Sequence, residues 1–248
     1  KRQHGDRVLA DRASISLNRP WMKNYAERLI KICHRHGAFA MGGMAAFTPG
    51  GTPERREEQT RKVVEDKQFE FALGHDGCWV SHPYFIAPAM SAFTVDNQLS
   101  NMPEIEDRPD LLPEMTPPRT LGGLRTNVRV GIAYTKGWLE DIGCVAWDDL
   151  MEDLATLEIS RAQVWQWLHH GVTLDDGETV TRELVVRVFH EEMGKIEDEI
   201  REAMSGADGH AIESEINRYQ HAQQVACSTF TEEEFRPFLK TSSDLVSA

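Results

Sequence analysis

The chain has 248 residues, 40% of them hydrophobic, and a formal net charge of −13, so it can bury one large or two small cores. Because nucleic-acid binders carry basic patches, this charge argues against a general nucleic-acid binder and against an anionic membrane surface as partner. No apolar run reaches the roughly 20 residues that a membrane-spanning helix needs. The four cysteines are scattered with no C-x-x-C pair, which argues against a structural zinc site and suits the cytoplasm.

The first part of the chain alternates helical patterns with short apolar runs. A helix is predicted from Pro20 to the glycine stop at Gly37, and a second over residues 53–70 with Val63, Val64 and Phe69 facing inward. Buried strands are predicted over residues 38–44 and 77–83. Strand, helix and strand in this order indicate an α/β barrel or a doubly wound sheet. We interpret this zone as the last portion of a barrel.

The remainder of the chain is predicted to be a linker followed by helices. Residues 99–123 are rich in proline and glycine, so we predict domains at residues 1–98, 99–123 and 124–248. Either Ser160 and Gln163 form a capping box, or that helix begins earlier, at Thr156. Helices forming a bundle are predicted at residues 124–141, 156–170, 181–204, 207–222 and 231–240.

Two adjacent carboxylates, Glu152 and Asp153, stand at the mouth of a predicted helix. Acids are common there because the helix dipole favours them, so the pattern alone favours a structural role. Sequence neighbours on a helix point in different directions, and at most one of the two should therefore face a site. A carboxylate fixed and partly desolvated at that place has what a general base needs.

Other chemical signals are weaker. His75 and His82 flank the second strand, where hydrogen-bonded loop histidines are the favoured interpretation over a site. Two histidine pairs end predicted helices, where imidazoles offset the dipole, so metal ligation is not favoured. No phosphate-binding glycine loop and no G-x-S-x-G nucleophile motif occur. Cys144 would be reactive only if exposed near a site, and an inert buried thiol is the default.

Several collinear blocks resemble the sequences of malate synthases of the shorter A type. They cover most of the chain to about Gly171 and continue more loosely to its end. The blocks are Asp11-Arg12 and Pro20-Trp21-Met22-Lys23-Asn24-Tyr25 with residues 33–47, residues 74–83, Gly123-Leu124-Arg125-Thr126-Asn127 with Trp138-Leu139, and residues 143–171 with Met151-Glu152-Asp153 among them.

The resemblance implies the C-terminal part of a TIM-type (β/α)8 barrel followed by an α-helical bundle, the plug domain. It also implies a reaction of the glyoxylate cycle, in which acetyl-CoA, glyoxylate and water give malate and CoA with Mg²⁺ required. The base of the family falls on Asp153. Pro49 maps to its acetyl-CoA pocket, and Met151 and Cys144 are weaker expectations for the same pocket. The Mg²⁺-binding Glu and Asp of the family, and its substrate-binding Arg, lie upstream and match nothing here, so no metal ligands are expected in this chain.

Three hypotheses remain open at this point. The chain is part of a malate synthase whose partner is the missing N-terminal part of the same enzyme. Alternatively, it is a catalytically incomplete fragment or CoA-binding module. A third hypothesis is a related CoA-ester condensing enzyme or lyase that uses another acceptor.

Overall fold

The structure is a computed structural model that describes residues 7–239. Contacts between residues divide it into two units. The helical unit comprises the described residues up to Ile15, Met115–Trp147, and the chain from Glu152 onward. The α/β unit comprises Ser16–Glu114 and Asp148–Met151.

The α/β unit is built on a strand–helix–strand crossover. Its two strands pair in parallel, with Met41 opposite Gly77 and Ala45 opposite Val80, and the helix between them makes the connection that parallel strands require. The predicted second strand ends at Val80, before a short 3-10 turn that begins at Pro83. The elements are α1 (Pro20–Arg35), β1 (Met41–Ala45), α2 (Pro53–Leu73), β2 (Gly77–Val80) and α3 (Ile86–Met90).

The inward face of α2 is largely polar, whereas the sequence predicted an apolar inward face. Val63 is buried as expected, but Val64 and Phe69 are only half-buried. Lys67 and Glu70 are buried instead, together with Gln59. This polar face was not predicted because charged side chains are rarely buried unless they are paired.

A bulge in β1 explains why α2 buries charged side chains. The strand pairing is interrupted between Gly42 and Met44, which leaves the backbone of Gly43 out of the regular ladder. Lys67 Nζ donates to the Gly43 carbonyl at 2.7 Å, and the Gly43 N–H donates to Glu70 Oε1 at 2.9 Å. The two side chains also pair with each other, Nζ to Oε2, at 3.0 Å. Side-chain hydrogen bonds therefore replace the missing ladder bonds.

The helical unit packs four long helices around one apolar core. The Cα of Gly131 lies so close to Phe230 that a Cβ there would stand 2.6 Å from the ring. Buried Val, Leu, Ile and Phe side chains from all four helices fill the core. The helices are α4 (Leu121–Leu139), α5 (Leu154–His169), α6 (Arg182–Ala203) and α7 (Gly209–Phe230), and the strands β3 (Cys144–Trp147) and β4 (Leu150–Asp153) form the second two-stranded sheet.

Several predicted helix boundaries in this part of the chain are wrong, and one predicted helix is absent. The predicted helix at residues 231–240 is absent from residues 231–239, because Pro237 interrupts it and Leu239 instead donates its N–H to buried Glu158 at 2.7 Å; Lys240 lies outside the described residues. α5 begins at Leu154, so Ser160 lies inside the helix and caps nothing. α4 begins at Leu121, which places Gly123 in its first turn.

No helix between residues 7 and 239 combines the length and the apolar character needed to cross a membrane.

Candidate active site

Asp153 ends strand β4 and caps helix α5. Its backbone is extended, with φ −130° and ψ −172°, so the chain passes directly from strand to helix. Asp153 Oδ1 accepts the N–H of Thr156 at 3.0 Å, and the N–H of Asp153 donates to Thr156 Oγ1 at 2.8 Å. This reciprocal capping box fixes one carboxylate oxygen. Within the described residues no hydrogen bond engages Oδ2, and the side chain is half-buried.

Glu152 points away from Asp153 and is buried in an ion pair. Arg12 Nη2 contacts its two carboxylate oxygens at 3.0 and 3.2 Å. The other terminal nitrogen of Arg12 donates to Ser160 Oγ at 3.1 Å. The adjacent acids thus differ, since Glu152 ties Arg12 of the N-terminal segment to β4, while Asp153 keeps an oxygen available.

Tyr134 on α4 has a pKa that is affected by Asp153 and by Cys144 at the start of β3. The Tyr134 side chain is fully buried, and Cys144 is exposed. Burial raises the pKa of Tyr134 to about 12, and electrostatic interactions with Asp153 and Cys144 add to the effect.

Pro49 and Met151 are brought together in the α/β unit. Met151 donates its backbone N–H to the Ala46 carbonyl at 2.7 Å, and the N–H of Thr48 donates to the Asp149 carbonyl at 2.8 Å. Phe47 makes an antiparallel bridge with Leu150 between them. These bonds hold the loop that follows β1, with half-buried Pro49, alongside the first residues of β4.

A tight turn precedes Met151 and sets the direction of β4. Asp148 and Asp149 have φ values of 48° and 62°, and this left-handed pair is the type I′ geometry of two-residue hairpins. Asp149 is anchored by Arg55 Nη2 at 3.3 Å and by Gln59 Nε2 at 3.5 Å. Helix α2 therefore fixes the turn two residues before Met151.

The histidines flanking β2 serve as structural hydrogen-bonding groups. His75 is buried, its Nδ1 lies 3.2 Å from the Ala40 carbonyl, and burial lowers its pKa. His82 accepts the Tyr84 N–H at 3.0 Å. Asp76 is nearly desolvated, yet hydrogen bonds from Gln98, Ala40 and His34 hold its pKa below the usual value.

A magnesium ion takes oxygen ligands in octahedral geometry, and carboxylates of the protein hold it together with water and substrate oxygens. In the part of the chain that the structure describes, no three His, Cys, Asp or Glu side chains are grouped so that they could hold a metal ion. These residues do not fit Mg²⁺, and no chemical step is assigned to it here.

Family comparisons agree with this division into an α/β and a helical part. Residues 1–112 match the model for the malate synthase TIM barrel domain, and residues 118–244 match that for the malate synthase C-terminal domain. These matches establish a barrel-related fold for the first part. The chain belongs to the malate synthase family.

Curated relatives support the same assignment. The chain is 42% identical over 210 residues to malate synthase A of Escherichia coli, 45% over 207 to malate synthase of Myxococcus xanthus, and 40% over 244 to malate synthase of Streptomyces clavuligerus. These alignments cover 81%, 81% and 94% of the chain, but only 39%, 38% and 43% of the relatives. The chain thus spans about two fifths of the length of the curated relatives it matches.

Two residues of the site carried no independent signal in the sequence. Tyr134 lies in an apolar helix and is indistinguishable there from a core residue. Arg12 was noticed only beside Asp11 in the family-like blocks, and its partner Glu152 is distant in sequence. Thr156 did carry a signal, because a capping residue and a hydrogen-bonding residue three positions later define a capping box.

Proposed function

We propose that this chain is the C-terminal part of a malate synthase, consisting of the last portion of a TIM-type barrel and a helical plug domain. The whole enzyme would condense acetyl-CoA with glyoxylate and water to give malate and CoA. The observation that carries this proposal is the capped geometry of Asp153, which fixes one carboxylate oxygen and leaves the other free, in a chain of the malate synthase family.

Asp153 is proposed as the general base. Its free oxygen takes a proton from the methyl group of acetyl-CoA, and the C–H electron pair becomes the enolate. The enolate carbon attacks the aldehyde carbon of glyoxylate, and the aldehyde oxygen then takes up a proton. Water hydrolyses the resulting malyl thioester and releases CoA as the thiol. The N-terminus of α5 favours a negative charge at this position.

The acetyl-CoA pocket is proposed to include Pro49, Met151 and Cys144. Support comes from the hydrogen bonds that hold the Pro49 loop beside Met151, and from the position of Met151 two residues before Asp153 on β4. Cys144 is supported by its exposure.

The proposed enzyme needs residues that this chain does not supply. The family resemblance calls for Mg²⁺, whereas the residues described here do not fit that ion. We therefore propose that the ligands and the substrate-binding arginine belong to the remaining length of the enzyme, as the coverage of about two fifths of the relatives supports. The acidic composition and the unpaired cysteines support a location in the cytoplasm.

The second candidate is a catalytically incomplete piece that retains a CoA-facing surface. It is favoured by the lack of a metal-holding group among residues 7–239. A related condensing enzyme with another acceptor differs only in the aldehyde or 2-oxo acid consumed, and glyoxylate compared with larger 2-oxo acids separates the two.

The deciding experiment measures CoA release from acetyl-CoA and glyoxylate with Mg²⁺, for the full-length gene product and this chain side by side. Asp153→Asn keeps an N-cap side chain but loses the base, and we expect a loss of at least about 100-fold in the full-length protein. The matched control is Asp208→Asn, the same change at the exposed N-cap of α7, with activity retained. Full activity in Asp153→Asn would refute the assigned base, and activity in this chain alone would refute the incomplete-piece interpretation.

A further inference from the structure

Asp153 stands where a strand turns directly into a helix. It is the last residue of β4, and α5 begins at the next residue, Leu154. The capping box orients the carboxylate relative to the first turn of α5. The direction of the free oxygen also depends on how the chain turns from the end of the strand into the helix. Contacts that fix the residues on both sides of Asp153 therefore also fix this oxygen.

The side chain of Arg12 makes contacts on both sides of Asp153. On the strand side, Nη2 donates to the two carboxylate oxygens of Glu152, at 3.0 and 3.2 Å. On the helix side, Nη1 donates to Ser160 Oγ at 3.1 Å and to the Thr156 carbonyl at 3.4 Å. Because a guanidinium is planar and rigid, one side chain holds both sides at a fixed separation.

The bridge from Glu152 through Arg12 to Ser160 is enclosed by protein. The side chain of Glu152 is 2% exposed and that of Arg12 is 18% exposed, while Ser160 is fully buried. Hydrogen bonds between charged partners are the stronger kind, and burial limits competition from water. All three residues belong to the helical unit, as Asp153 does. The bridge is thus a firm connection within one unit.

The backbone just before Arg12 is itself anchored to α4 and α5. The carboxylate of Asp11 accepts the N–H of Thr120 at 3.1 Å and its hydroxyl at 2.7 Å, and Thr120 is the N-cap of α4. Trp167 of α5 donates its Nε1–H to the Leu9 carbonyl at 3.1 Å. Arg12 therefore reaches the strand–helix junction from a fixed segment rather than from a free chain end.

We propose that Arg12 and Glu152 are positioning residues for the reaction. Their bridge to Ser160 holds the turn from β4 into α5 and so keeps the free oxygen of Asp153 in the direction of its substrate. This inference rests on the proposed role of Asp153 as the base. A base that loses its orientation removes the methyl proton more slowly, whereas acetyl-CoA is bound by other residues. Loss of the bridge should therefore lower kcat and leave the KM for acetyl-CoA unchanged.

Two substitutions in the full-length gene product cut the bridge and leave Glu152 paired, because a buried unpaired charge would threaten the fold itself. Arg12→Lys keeps a positive charge beside Glu152, but an ammonium lacks the planar fork that also reaches Ser160. Ser160→Ala removes the hydroxyl on the helix side and keeps the ion pair. We expect kcat for CoA release from acetyl-CoA and glyoxylate with Mg²⁺ to fall about tenfold in each variant.

The matched control is Arg125→Lys, the same change in an ion pair of similar burial. Arg125 pairs with Glu192 at 2.5 Å, and the two side chains are 27% and 2% exposed. This pair joins α4 to α6 and lies on neither side of Asp153. Arg125→Lys should lower Tm by an amount similar to Arg12→Lys and keep the wild-type kcat. All rates are measured at a temperature where circular dichroism shows each variant folded.

Deuterium in the acetyl group separates positioning from a general loss of active enzyme. A misplaced base slows removal of the methyl proton, so the ratio of kcat for the CH3 substrate to kcat for the CD3 substrate should rise in both variants. A smaller fraction of active enzyme lowers both rates equally and leaves that ratio unchanged. A kcat within about twofold of wild type in both variants, or a lower kcat with an unchanged ratio, would overturn the inference.

The Asp153→Asn variant distinguishes the two levels of failure. If Asp153→Asn stays active, the assigned base is wrong and the positioning role falls with it. If Asp153→Asn is inactive while Arg12→Lys and Ser160→Ala keep the wild-type kcat, only the positioning role is wrong.

Discussion

The interiors of the two units of this chain differ in the side chains that they bury. The helical unit buries a continuous set of aliphatic and aromatic side chains from four helices. The apolar core cluster of the α/β unit consists of Ala45, Val63, Phe85 and Ala89, and beside it lie the buried ions of α2. Trp79 of its strand β2 is 68% exposed. The comparison teaches that a buried ion pair stands beside a small apolar cluster in the α/β unit, whereas in the helical unit buried ion pairs such as Arg12–Glu152 are added to a large apolar core.

We expect the largest loss of stability from a substitution that breaks the buried ion pair of α2. Lys67→Ala leaves Glu70 as an unpaired buried charge and removes the donor to the Gly43 carbonyl, so we expect about 3–5 kcal/mol of destabilisation in the α/β unit. Hydrogen exchange read by mass spectrometry reports this for peptides of each unit separately. The control is Arg61→Ala, which removes the exposed pair with Glu65 and should change stability by at most about 1 kcal/mol.

A loss confined to the helical unit, or no difference between Lys67→Ala and Arg61→Ala, would contradict the role assigned to the ion pair.

The next largest change in stability is expected from a substitution that tests close packing in the helical unit. In Gly131→Ala the new methyl group meets the Phe230 ring, which must shift, and we expect destabilisation by about 1–3 kcal/mol. Gly194→Ala on α6 is the matched control, since nothing lies within 4 Å of its Cβ and alanine is the better helix former by about 1 kcal/mol. Urea unfolding should show opposite signs for the two variants, and equal signs would mean that α4 and α7 do not pack as closely as described.

The smallest expected effect is a loss of stability of the α/β unit at acidic pH. The lowered pKa of buried His75 means that the unfolded state binds more protons, so stability falls as pH drops below the ordinary value of 6.5. The lowered pKa of Asp76 adds a second loss as pH falls below its ordinary value of 3.8. Hydrogen exchange between pH 7 and pH 4 should show the first loss in peptides around β2.

In His75→Gln the loss of protection near pH 6 should disappear, while that below pH 4 persists. An unchanged profile would mean that another group takes up the proton.

Much of this fold could be predicted because its helices carry clear amphipathic patterns. α1 and α2 begin at the prolines where they were predicted, and α6 lies within one residue of its predicted bounds. The buried charges of α2 could not be predicted, because they depend on a bulge in a strand 24 residues earlier. The failed helix after Thr231 had the right pattern, but Pro237 and the tertiary bond to Glu158 prevailed.

The candidate site, like the fold, could be predicted from the sequence only in part. Asp153 was predicted to lie at a helix start and does so, but it and Glu152 are consecutive residues of strand β4, so their side chains point apart because of strand geometry rather than helix geometry. The partner of Glu152 could not be predicted, because Arg12 lies 140 residues from it in the sequence. Local sequence predicts where a carboxylate begins a helix, and only the folded chain gives its neighbours.

The capping box at Asp153 has a consequence for the entropy of the proposed reaction. A free aspartate samples several rotamers, and that freedom must be lost when its oxygen meets a proton. Here the loss has already occurred during folding, because the bond from Thr156 that begins α5 also orients the carboxylate. The helix start thus serves as preorganisation, and fraying of one helical turn would return the base to a flexible side chain.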